Sequence, residues 1–212
     1  MVVFREEMSR QKINTIIFDL GGVLIDWKPQ YLYRKIFKTE EEVEWFLQNI
    51  CTSDWNERQD EGFPIASATE ELAKHYPEWE KEIKAYYGRW EEMLGGPIEE
   101  SVEIFKKLKQ NSDLKFYALT NWSAELFPIA LQRFDFLHWF DGRIVSGEEK
   151  TRKPFPEFYQ KLIDRFHIDI STAIFIDDNL RNIDSAQEFG LKSIHFKNPT
   201  LLSEELKKIN LL

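Results

Sequence analysis

The stretch Ile16-Ile17-Phe18-Asp19-Leu20-Gly21-Gly22-Val23-Leu24 decides how the rest of the chain is read. An apolar run ends in one carboxylate and passes straight into two glycines. The run shows no period-two alternation, the pattern of a parallel strand covered on both faces. In an open α/β sheet, ligands sit at the carboxyl ends of the strands, so this arrangement delivers Asp19 to the functional edge. Gly21 and Gly22 open backbone shapes closed to other residues and let a ligand approach the main chain.

Working outward, five such runs are expected as buried strands: Ile13–Asp19, Lys115–Thr120, Gly142–Val145, Ala173–Asp177 and Ser193–Phe196. Helical patterns separate the last four, which predicts βαβ units and an α/β fold with a doubly wound, three-layer parallel sheet. After the fourth run, Ile183, Ala186 and Phe189 share one helix face and Gly190 ends it. The segment from Lys28 to Pro97 breaks the alternation. It offers no strand, and capping boxes at Thr39 with Glu42 and at Ser67 with Glu70 open two of its helices. Helical text continues over Glu78–Met93 and stops at Gly95-Gly96-Pro97. The expectation is a helical cap of residues 28–97, acting as a mobile lid, inserted into a core of residues 1–27 and 98–212. A last amphipathic helix is expected over Ser203–Leu212.

Composition narrows the function. The 37 acidic residues outnumber 28 basic ones across 212 positions, giving a net charge of −9 that argues against nucleic-acid and anionic-membrane partners. A phosphorylated ligand would then need well-placed Lys or Arg. Cys51 is the only cysteine, which excludes an internal disulfide and a Cys-x-x-Cys site, and it reads as a packed thiol. The four histidines show no metal-ligand spacing. The opening residues read without a signal peptide and no apolar run has membrane-span length, so a cytoplasmic protein, monomer or homodimer, is expected.

Four separated motifs resemble the haloacid dehalogenase superfamily of hydrolases. They are Phe18-Asp19-Leu20-Gly21-Gly22-Val23-Leu24, then Thr120 in Tyr117-Ala118-Leu119-Thr120-Asn121, Lys153 in Arg152-Lys153-Pro154, and Asp177-Asp178 in Phe175-Ile176-Asp177-Asp178-Asn179. All four occur in the family's order. The resemblance implies a Rossmann-like core with a helical cap, and phosphatase activity on a small phosphorylated metabolite. It makes Asp19 the nucleophile that forms an aspartyl-phosphate. Nucleophile and phosphate are both anionic, so a cation must bridge them, and Mg²⁺ suits an all-oxygen site. Asp19, Asp178 and the Gly21 carbonyl are the implied ligands, with Asp177 and Asn182 supporting them. Thr120 and the Asn121 N–H would hold the transferring oxygens, Gly22 would help to form the loop around them, and Lys153 would neutralise developing charge, which answers the demand for a placed cation.

One departure matters. Most phosphatases of the family carry a second Asp two residues after the nucleophile as general acid and base, and this chain has Gly21 there. Sugar-phosphate phosphatases of the glucose 1-phosphate type that read Asp-Leu-Gly are similar to it and need no such Asp. Asp26 is a candidate substitute acid. In the cap, Trp55 and Arg58, within Trp55-Asn56-Glu57-Arg58-Gln59-Asp60, are expected to bind a sugar or other polar metabolite, with Trp27 at the entrance. Two competing readings stand beside the phosphatase: a metal-free 2-haloacid dehalogenase, and a binding or regulatory protein that kept the fold without turnover.

Overall fold

A computed structural model describes residues 12–212. The absence of a signal peptide and the assignment of residues 1–11 to the core lie outside the described residues. Five parallel strands form the sheet: β1 (Thr15–Phe18), β4 (Lys115–Thr120), β5 (Gly142–Val145), β6 (Ala173–Asp177) and β7 (Lys192–His195), in the order β5-β4-β1-β6-β7. Three of these match the expected runs; the first begins at Thr15 and the last at Lys192.

The absence of alternation in β1 has a packing reason. Ile16 and Phe18 face one hydrophobic cluster, Ile17 faces another, and all three are fully buried. On the Ile17 side lie Phe158, Tyr159, Leu162, Ile183 and Ala186. On the other side Phe105 stacks at 5.3 Å on both Phe18 and Phe116. Central β1 pairs with β4 (Phe18 opposite Ala118) and with β6 (Phe18 opposite Ile176), so three strands end at one rim.

Two short strands, β2 (Ile25–Trp27) and β3 (Leu94–Pro97), pair antiparallel outside the main sheet. Between them, among the described residues, lie α1 (Gln30–Tyr33), α2 (Glu40–Asn49), α3 (Ser53–Asp60), α4 (Ile65–His75) and α5 (Glu80–Gly88). The core helices are α6 (Glu99–Leu108), α7 (Phe127–Arg133), α8 (Ser146–Glu149), α9 (Pro156–Phe166), α10 (Leu180–Glu188) and α11 (Pro199–Lys208).

Three expectations need correction. β3 is a strand where none was expected, because Gly95-Gly96-Pro97 reads as a breaker and its partner lies outside the segment. A side chain at Gly95 would sit 2.6 Å from Asp26 Oδ2, and Gly96 has φ +118°, so the glycines serve close pairing rather than interruption. Thr39 and Glu42 do form the capping box on α2. Ser67 with Glu70 does not, since α4 begins two residues earlier at Ile65. The Ile65 N–H instead donates to the Glu125 carboxylate of the core at 2.9 Å, a cap supplied by tertiary contact. Helix α11 starts at Pro199, ahead of the expected Ser203, because Asn198 caps it by accepting from the Leu201 N–H.

The remote cap makes a specific claim about α4. Replacing Glu125 with Ala should cost about 0.5–1 kcal/mol in urea unfolding. It should also speed amide hydrogen exchange at Ile65, while exchange in β1 stays unchanged.

Candidate active site

The rim where β1, β4 and β6 end gathers the motif residues. The Asp19 N–H donates to the Ile176 carbonyl at 2.8 Å, extending the β1–β6 ladder by one residue. Asp19 Oδ1 accepts from the Leu20 N–H at 2.7 Å and lies 2.9 Å from Lys153 Nζ. Its other oxygen has no hydrogen bond among the described residues.

Lys153 has no solvent exposure. A buried ammonium is tolerated only with partners, and Nζ has two, Asp19 at 2.9 Å and Asp177 Oδ2 at 2.7 Å. Its main chain is clasped by Asn121, whose amide donates to the Lys153 carbonyl at 3.0 Å and accepts from the Lys153 N–H at 2.9 Å. The end of β4 therefore sets the position of the lysine. Burial opposes the Lys153 charge, but Asp177 and then Asp19 overcome it and raise its pKa.

The acidic pair divides into two roles. Asp177 is saturated: Oδ2 takes Lys153, Oδ1 accepts the Asn179 N–H at 2.8 Å, and the Asn182 amide donates to both oxygens at 3.1 Å. Asp178 has no such partners for its carboxylate and sits against the β1 turn. A Cβ at Gly22 would fall 2.2 Å from Asp178 Oδ2, and Gly22 has φ +77°, so only glycine allows this approach. Burial, then Asp177, raises the Asp178 pKa. Asp19 is raised more strongly, by burial first, against the pull of Lys153.

The cluster suits a hard divalent cation. Asp19, Asp177 and Asp178 each bring an oxygen within 4.8 Å of the others. Three carboxylates against one ammonium leave uncompensated negative charge, and every donor is oxygen. Nearby, the buried Thr120 hydroxyl at the end of β4 has no hydrogen-bond partner among the described residues. A ligand oxygen would supply one.

A cleft of about 500 Å³ runs from Asp19, Gly21, Gly22 and Asp178 to Asn56, Glu57 and Asp60 of α3. Helix α3 is held against the core: Glu57 pairs with Arg152 at 2.7 Å and with Arg181, the Asp60 carbonyl accepts from Ser146, and the Gly62 carbonyl accepts from Lys150 at 3.0 Å. Trp55 and Arg58 do not line this cleft. Trp55 packs in the cap core with its indole N–H toward the Ala68 carbonyl, and Arg58 pairs with Glu71 and covers the Phe63 ring. Asp26 is held by Tyr31 at 2.5 Å and Lys28 at 3.2 Å in the β2 ribbon, away from the cleft. Cys51 is buried and its thiol pushed up to about 12, so it packs rather than reacts. Asn56, Glu57 and Asp60, which lie in the same run as Trp55, are among the residues that do reach the cleft. Helical periodicity separates them: Trp55 and Gln59 share the buried face, and Asn56 and Asp60 share the next.

A doubly wound core with an acid-rich rim defines a hydrolase-type site, and comparison with known proteins specifies it. The family model of haloacid dehalogenase-like hydrolases matches residues 13–190. The chain belongs to that family, and its relatives mark it as a phosphatase. It is 25% identical over 193 residues to a sesquiterpene phosphatase from Aspergillus oryzae, covering 91% of this chain and 94% of that one. It is 22% identical over 188 residues to a phosphorylated carbohydrates phosphatase from Thermotoga maritima, covering 86% and 84%. It spans 36% of the length of a drimenol cyclase from Aspergillus calidoustus, which it matches at 26% identity. Among solved structures, a family enzyme from Bacteroides thetaiotaomicron in complex with magnesium and inorganic phosphate superposes with a TM-score of 0.64, at 23% identity and over 88% and 95% of the two chains.

The raised Asp19 pKa sets a pH dependence. A native carboxyl that holds its proton above the pH where the unfolded chain releases it stabilises the fold at low pH. That contribution is lost as pH climbs from about 5 toward the alkaline range. The melting temperature of the metal-free protein should fall along this path, and Asp19→Asn should flatten the slope, measured by calorimetry across the range.

Proposed function

We propose that this phosphatase is a magnesium-dependent phosphomonoesterase that acts on a small phosphorylated metabolite through an aspartyl-phosphate on Asp19. The observation that carries this reading is the divided state of Asp19: one oxygen is held by Lys153 and the Leu20 N–H, and the other is unengaged beside the cleft. The held oxygen fixes the carboxylate, and the free one attacks phosphorus as the P–O bond to the leaving alcohol breaks. Lys153, charged and immobile, faces the negative charge that accumulates. The unpartnered Thr120 hydroxyl and the Asn121 main-chain N–H donate to the transferring oxygens. Asp19, Asp178 and the Gly21 carbonyl would hold the magnesium ion, which when bound screens nucleophile from phosphate. Asp177 and Asn182 brace Lys153 and the acidic pair. Water then attacks phosphorus in the aspartyl-phosphate, breaking its bond to Asp19 and releasing inorganic phosphate.

The substrate end of the cleft supports a neutral, hydroxyl-bearing alcohol such as a sugar. Asn56, Gln30 and Gln48 offer amides, while Glu44, Glu57 and Asp60 would repel a second anionic group. Arg181 also lines the cleft, but Glu57 already pairs with it. The three clustered carboxylates weigh against the metal-free dehalogenase, whose anionic nucleophile gains nothing from two more acids. A cap that closes over the bound ester and a cytoplasmic setting belong to the same reading.

Phosphate release from a panel of phosphomonoesters should require added Mg²⁺, stop with EDTA, and fall by about 10⁴-fold or more in Asp19→Asn. Turnover that persists undiminished in EDTA, or in Asp19→Asn, would refute the proposal.

A further inference from the structure

Gly21 leaves a hole. A Cβ built there meets nothing within 4 Å, and beside it lies a cavity of about 60 Å³ walled by Trp27, Tyr87, Trp90, Trp122 and Leu126. That is space for about one to three water molecules or a single oxygen-bearing group. The polar residues around it are few: Asn56 and Asp60 from α3, and Asn121 from the end of β4. Trp122 contributes an indole N–H that is buried and has no partner among the described residues. Asp60 also lines the larger cleft that holds Asp19, so it stands at the wall common to both spaces.

We propose that Asp60 is the catalytic acid and base of this enzyme, delivering a proton from the cap to the leaving oxygen across the space that Gly21 leaves open. This rests on the phosphomonoesterase reading above. Of the other titratable groups that line the two spaces, Asp19 is the nucleophile and Asp178 is committed to the cation. Lys153 is bound between Asp19 and Asp177, and Asp177 is saturated by its own donors. Glu57 is held by Arg152 and Arg181, Asp26 by Tyr31 and Lys28, and Glu44 accepts the Gln48 amide.

The surroundings of Asp60 fit the role. The Tyr87 hydroxyl lies 2.9 Å from Gln59 Oε1 and 3.0 Å from Asn56 Oδ1, and the Asn56 amide N–H₂ donates to Asp60 Oδ2 at 2.8 Å and orients the carboxyl. Burial pushes its pKa up to about 7, with Glu57 acting in the same direction, while Arg152, the Ser123 main-chain N–H and Asn56 pull it down. Tyr86 and Tyr87 also face it, and both stay neutral because burial raises their pKa values well above the usual phenol range. An acid balanced near neutrality can give and take a proton in one cycle.

The steps balance. As Asp19 bonds to phosphorus and the ester P–O bond breaks, the Asp60 carboxyl gives its proton to the departing alkoxide, which leaves as an alcohol. The Asp60 carboxylate then accepts a proton from the water that attacks the aspartyl-phosphate. The P–O bond to Asp19 breaks, phosphate departs, and both carboxyls return to their starting states.

The test uses leaving groups of graded acidity. Nitrophenolate departs without help, whereas an alkoxide needs a proton. Asp60→Asn should lose about 100-fold or more in kcat/KM on alkyl phosphates and at least about tenfold less than that on p-nitrophenyl phosphate, while kcat falls on both because the base of the second step is gone. The alkaline limb of the parent's kcat/KM profile for alkyl phosphates, near pH 7, should vanish in the same variant. Asp60→Glu should retain more alkyl-phosphate activity than Asp60→Asn, and Gly21→Asp placed on Asp60→Asn should restore part of it. Equal losses of kcat/KM on both ester types, or no loss on either, would overturn the assignment, as would failure of both rescues. A parent enzyme that turns over no ester with Mg²⁺ would refute the phosphatase chemistry itself, and the role of Asp60 with it.

Discussion

The buried ammonium of Lys153 is the constraint on which the site depends. It sits between Asp19 and Asp177 at 2.9 and 2.7 Å, and without it two adjacent carboxylates would face each other in a region of low polarity. The sheet makes this arrangement affordable by bringing β1 and β6 side by side and ending them together. Asn121, at the end of β4, grips the lysine main chain, so three strands jointly fix one nitrogen atom. Pre-set charge of this kind needs no rearrangement as the reaction proceeds.

Much of the core could be read from the chain because local pattern and tertiary environment agree there. Parallel strands buried on both faces carry unbroken apolar runs, and Lys115–Thr120, Gly142–Val145 and Ala173–Asp177 appear at the expected residues. The motif residues Asp19, Thr120, Lys153, Asp177 and Asp178 could be named because together they keep the order of the family's four motifs, and all but Lys153 close or directly follow such a run. What escaped was set by distant partners. β3 exists because Asp26 and Trp27 lie opposite it, and α4 starts at Ile65 because Glu125 of the core caps it. In the cap, residue type misled. Trp55 and Arg58 look like ligand-binding groups, yet helix phase turns Trp55 inward and Arg58 to the surface, and gives the cleft to Asn56, Glu57 and Asp60.

The helices between β2 and β3 meet the rest of the fold through polar contacts from α3 and through apolar ones. Glu57 reaches two arginines of the core, and carbonyls near the end of α3 accept from Ser146 and Lys150. Trp90 and Trp122 meet edge to face across the same join at 5.7 Å, and buried residues of both parts form one hydrophobic cluster.

Gly22 has a further consequence. Its missing side chain is the berth for the Asp178 carboxylate, so two positions far apart in the chain occupy one volume. Neither can be altered alone: any larger residue at 22 evicts the acid, and a longer acid at 178 outgrows its berth. The left-handed backbone at Gly22 adds to this exclusion of volume, so a saturation library at codon 22 should recover almost nothing but glycine even when codon 178 is freed with it.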